Sequence, residues 1–150
     1  MTVTDASGYI SALIGRPWQA DGLHCWALVR QVVGDLFGVD LPAVVEAPAG
    51  RRTKAGMFAS HPARAGWVEA KPPLPWAVAL MHRRGGPADV IEHAGVYLPF
   101  DGGGVLHVDD PHGVVFDSLF DLPRIRCWAA PVLLVRLPPN SGAEIISTVS

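Results

Sequence analysis

The chain has 150 residues, 49% of them hydrophobic, and a formal net charge of −2. That length and composition supply one domain with a proper core and exclude two ordinary ones, and the charge excludes a basic footprint for nucleic acid. The two cysteines, Cys25 and Cys127, form no CxxC pair and exclude a disulfide-built scaffold, while 14 prolines and 16 glycines favour a turn-rich surface over a helical bundle.

The N-terminal stretch MTVTDASGYISALIG has no positive start and no long apolar run. Neither a signal peptide nor a membrane span is expected, so the chain is made in the cytoplasm and stays there or leaves by a route other than secretion. Residues 5–14 predict a short helix, with Thr4 or Asp5 as cap, Tyr9, Ile10, Leu13 and Ile14 on one side, and Gly15 and Pro17 as stops. Residues 21–38, DGLHCWALVRQVVGDLFG, predict a second. There Leu28, Val29, Val32, Val33, Leu36 and Phe37 make one apolar stripe, Asp21 and Gly22 are N-cap candidates, and Gly38 ends the helix. Residues 43–75 are rich in Ala, Pro and Gly; within them RRTKAGMFAS reads as a helical turn or two and GWVEA as a short strand. Strands follow at 76–81, 93–98, 104–108, 113–117 and 130–137, with hairpin-like connections PFDGGG and DDPHG. Helices first and antiparallel strands after predict an α+β fold with the helices packed on one face of an antiparallel β-sheet. Residues 1–137 form the single domain and 138–150 a loosely attached tail.

Cys25 falls in the first turn of the second helix. Exposed N–H groups and the helix dipole there favour an anion, so a thiol ionises more easily. The plain alternative is a small buried hydrophobe. A cysteine nucleophile needs a base, usually histidine, and the base needs an orienting group. His93 opens HAGVYL and His107 lies in GVLHV. A hairpin centred on Phe100 places them opposite each other; a centre one or two residues later, at the glycine run, calls for a bulge or a diagonal contact, which Gly102 to Gly104 permit. In that constellation Cys25 attacks a carbonyl, His93 moves its proton, and His107 orients His93. A strand histidine is more often structural than catalytic. His61 and His112 are expected to face solvent, Cys127 to pack, and the paired arginines 51–52 and 83–84 to be solvated loop. HVDDPH (107–112) is a rival metal cluster whose spacing matches no signature.

IGRPWQADGLHCWALVRQVVGDLFGVDLP, EHAGVYL and VLHV together resemble the NlpC/P60 superfamily of cell-wall cysteine peptidases, closest to the short members of phage tails and gene-transfer-agent particles. The resemblance spans about residues 13–137 and rests on Trp18, Cys25, Gly38 with Leu41 and Pro42, His93 with Gly95 and Tyr97, and His107. It implies a papain-like fold, no metal or organic cofactor, and hydrolysis of an amide in peptidoglycan stem peptides, commonly that between D-glutamate and diaminopimelate. Cys25 matches the nucleophile, His93 the base and His107 the third polar residue, with Trp18, His24 and Trp26 lining the substrate site. The family usually has Asp and Ser on either side of its cysteine, where this chain has His24 and Trp26. A phage-type member would be a virion component, attached to a tail hub or baseplate protein and acting in the host periplasm. The alternative is a catalytically silent tail component of the same fold that binds the hub.

Overall fold

The computed structural model describes residues 3–17, 24–41, 66–87, 91–109 and 112–136. Helix α1 runs over Val3–Leu13. Ile10 and Leu13 enter the core, and Tyr9 Oη donates to Asp35 Oδ2 of the next helix at 2.6 Å. Burial and that carboxylate push the Tyr9 hydroxyl well above its ordinary pKa. Ile14 lies one residue past the helix and is exposed, not part of the apolar side.

Helix α2 runs over Cys25–Phe37, so Cys25 is its first residue. The expected caps, Asp21 and Gly22, lie outside the described residues. His24 takes the capping position: its backbone is extended and its Nδ1 accepts the Ala27 N–H at 3.2 Å. At the other end Gly38 adopts φ 64° and its N–H returns to the Gly34 carbonyl, a left-handed C-cap that favours glycine. Leu28, Val29, Val32 and Val33 are buried as the stripe requires, whereas Phe37, in the last turn, is exposed.

Six strands form one sheet: β1 (Trp67–Glu69), β2 (Val78–Arg83), β3 (His93–Leu98), β4 (Gly104–Asp109), β5 (Gly113–Ser118) and β6 (Trp128–Arg136). Their order is β1-β6-β2-β3-β4-β5, and every neighbouring pair is antiparallel. Strands β2 to β5 are a meander; β6 returns to lie between β1 and β2. Strand β2 starts two residues later than the apolar run because Trp76 takes φ 68° in a turn. RRTKAGMFAS and the tail 138–150 lie outside the described residues.

Alternation assigns the two faces. Val78, Leu80, Ala94, Val96, Leu98, Leu106 and Val108 form one layer with Trp26, Leu28 and the other buried residues of α1 and α2. Ala79, Met81, Tyr97, Val105 and Leu133 form the other, covered by Leu122 of a short helix α3 (Asp121–Ile125). The fold is α+β, helices on an antiparallel sheet. Helices touch both faces, not one, because the stretch after β5 turns back over the second layer.

Candidate active site

The β3–β4 register pairs Val96 with Leu106, Tyr97 with Val105 and Leu98 with Gly104. That centres the hairpin on Asp101 and leaves His93 diagonal to His107. The position across from His107 falls to Gly95. A Cβ there would lie 2.5 Å from the Leu106 carbonyl oxygen and 3.0 Å from His107 Cβ. Only glycine lets β4 approach this closely, and the approach brings His93 Nε2 to 2.8 Å from His107 Nδ1. Their rings meet edge to face, with centroids 5.0 Å apart.

Behind this pair, His107 is fully buried and its Nε2 donates to Asp117 Oδ2 at 2.7 Å. Asp117 comes from β5, opposite Val105. Arg126 Nε donates to the same carboxylate oxygen at 2.9 Å, and its guanidinium also reaches Asp109 Oδ2 at 3.4 Å. Burial pushes the Asp117 carboxyl up, but the hydrogen bonds from His107 and Arg126 and the Arg126 charge outweigh it and hold the group below its ordinary value. His93 is driven well below the usual imidazole range, chiefly by burial. It is therefore neutral at neutral pH, the form that accepts a proton.

In front of His93 lies a cleft of about 350 Å³. Cys25 and His24 line it from the start of α2, Arg83, Asp109 and Trp128 from the sheet, and Arg126 from the end of α3. The Trp128 indole stacks on His93 at 4.4 Å and 11°, and Arg83 sits over that indole at 4.8 Å. The β2–β6 register, which pairs Arg83 with Trp128, produces the stack. A larger cavity of about 500 Å³ lies elsewhere, between the Phe37 end of α2 and β1. Its lining is mostly aliphatic and aromatic, whereas the smaller cleft gathers the thiol, the imidazoles and the charged side chains.

Of the residues expected from sequence, Cys25 and His93 share the cleft, and His107 sits one hydrogen bond behind. His24 lines the cleft while its Nδ1 caps α2. Trp26 is a correction: it is fully buried in the helix–sheet core and does not line the cleft. Trp18 and His61 lie outside the described residues. His112 is exposed as expected, but Cys127 is exposed too, with φ 66°, and does not pack. Arg83 belongs to the cleft and not to a solvated loop. In HVDDPH, His107 and Asp109 are taken by Asp117 and Arg126 respectively, and no described group of three His, Cys, Asp or Glu residues is placed to hold a metal.

Asp117, Arg126 and Trp128 went unforeseen as site residues, and Asp109 was weighed only within the rival metal cluster. Asp117 left a signal, a lone carboxylate in a valine-rich strand with the parity of His107. Arg126 and Trp128 left none, since they reach the site through the return of β6. No protein-family model matches the chain, and no curated protein matches it.

Proposed function

We propose that the chain is a cysteine peptidase of the NlpC/P60 type, with a papain-like fold, that hydrolyses an amide in peptidoglycan stem peptides as part of a phage-like tail. The observation that carries this reading is the cleft shared by Cys25, first residue of α2, and His93, whose Nε2 is held by His107. With Nε2 engaged, Nδ1 is the nitrogen that exchanges a proton with the thiol. His93 takes the Cys25 proton as the sulfur attacks the carbonyl carbon. Negative charge develops on the carbonyl oxygen near the positive end of α2. Collapse breaks the C–N bond, and the leaving amine takes the proton from His93. Water then attacks the thioester, gives a proton to His93, and releases a carboxylic acid and the thiol.

The cleft carries Arg83 and Arg126 beside Asp109, which suits a peptide bearing both carboxylates and an amine. The peptidoglycan substrate, the D-glutamyl–diaminopimelate bond and the tail location are supported by the sequence resemblance. The test is to incubate soluble peptidoglycan fragments with wild type and with Cys25→Ala and to weigh the products by mass spectrometry. Cleavage by wild type alone supports the peptidase, and the fragment masses name the bond. No cleavage by either, with stable binding to a tail hub protein, supports the silent component instead.

A further inference from the structure

Three polar groups run back from the cleft, His93, His107 and Asp117, and Arg126, which itself lines the cleft, closes on the last of them. His107 and Asp117 are buried. A buried carboxylate paired with an arginine, as Asp117 is with Arg126, is weak evidence for stability, since apolar residues of similar volume often do as well. The chain therefore calls for another role. We infer that Asp117, clamped by Arg126, is a positioning residue that acts through His107 to decide which nitrogen of His93 carries the proton. The inference rests on reading Cys25 as the nucleophile and His93 as its base.

An ionised carboxylate can only accept. The 2.7 Å contact with Asp117 therefore requires a proton on His107 Nε2. When Nε2 holds the only proton of His107, Nδ1 is bare, and the 2.8 Å contact requires a proton on His93 Nε2. Neutral His93 is left with its lone pair on Nδ1, where a base for Cys25 needs it. Arg126 fixes the sense of the chain. It donates to the same Oδ2 that His107 uses and is itself steadied by Asp109. Without the carboxylate, His107 is free to carry its proton on Nδ1. His93 Nε2 must then accept, its own proton moves to Nδ1, and the base has lost its lone pair.

Long-range proton–nitrogen NMR of the ¹⁵N-histidine-labelled full chain reads these tautomers directly. In wild type at neutral pH both His93 and His107 are expected to be protonated on Nε2; a proton on His93 Nδ1 overturns the inference. In Asp117→Ala the His93 tautomer is expected to become mixed, and kcat for peptidoglycan-fragment cleavage to fall by about 10²-fold with KM steady. In Asp117→Asn, Arg126 Nε–H holds the amide oxygen at the Oδ2 position, so the tautomer and most of the rate return. A folded Asp117→Ala with wild-type tautomers and kcat, or equal losses in both variants, overturns the positioning role while wild type still cleaves. If Asp117→Ala does not fold, the wild-type and Asp117→Asn spectra decide alone. A wild type that cleaves nothing and whose Cys25 alkylates no faster than a model thiol overturns the peptidase reading itself, and the positioning role with it.

Discussion

At the scale of single residues, His93 is the hinge of the account. It touches His107 through one ring edge and Trp128 through a face, and it lines the cleft with Cys25. Stacking of this kind contributes about 0.5–1.5 kcal/mol beyond area burial. Trp128→Ala should therefore lower the unfolding free energy by at least about that much in urea denaturation. Its turnover should fall further than its stability explains, because the imidazole loses the wall that holds its plane. His93 also sets a pH dependence. Its proton is disfavoured in the folded protein, so below the ordinary value of 6.5 the unfolded chain binds more protons. The stability contributed by neutral His93 is complete above 6.5 and is lost as the pH falls through that value toward the depressed folded one. Asp117 adds loss in the same direction further into acid, below its ordinary 3.8. Urea midpoints measured across the mildly acidic range should fall for wild type. They should fall less steeply for His93→Phe, which keeps a ring against Trp128 but cannot be protonated.

At the scale of elements, the β3–β4 hairpin and the start of α2 build the site. The diagonal meeting of His93 and His107 depends on Gly95, where any Cβ would press on the Leu106 carbonyl, a backbone atom that cannot swing away. Gly95→Ala should destabilise the fold by roughly 1–3 kcal/mol, as overpacking does, and separate the two imidazoles. Calorimetry reads the first effect; loss of the paired histidine NMR signals reads the second. Much of this was legible in advance. The valine-rich strands with turn residues between them announced the meander, and the shared parity of residues 93 and 107 announced a common face. The glycine run allowed for a hairpin centre beyond Phe100, and the observed centre on Asp101 makes the contact diagonal. What sequence periodicity does not encode is strand order. Nothing in WAAPVLLVR shows that β6 lies between β1 and β2, so Trp128 and Arg126 were invisible as site residues. The capping of α2 was misplaced for a related reason. Asp and Gly are ordinary cap residues and histidine is not, yet the backbone at His24 is the extended one and its ring nitrogen does the accepting.

At the scale of the whole molecule, two apolar layers hold one sheet between helices, and the polar chain pierces the layer away from α1 and α2. Trp26 belongs to this scale. The tryptophan after the cysteine looked like a site residue by position in the family pattern, but helical geometry turns it into the core, where it is fully buried. Trp26→Ala should cost about 3–5 kcal/mol of stability, read by chemical denaturation, the signature of a core residue. A residue that only lined the cleft would leave stability nearly unchanged and raise KM. The same turn of α2 that buries Trp26 delivers Cys25 to the cleft, so the core and the cleft share one helix start.

The most direct test of the central claim, that Cys25 and His93 work as nucleophile and base, is the pH dependence of Cys25 alkylation by iodoacetamide. Reaction of Cys127, which is exposed, is separated by peptide mapping. At neutral pH wild-type Cys25 should react at least about tenfold faster than a model thiol, and His93→Ala should remove that advantage. A wild-type Cys25 that reacts no faster than a model thiol, with a profile indifferent to His93, would contradict the account.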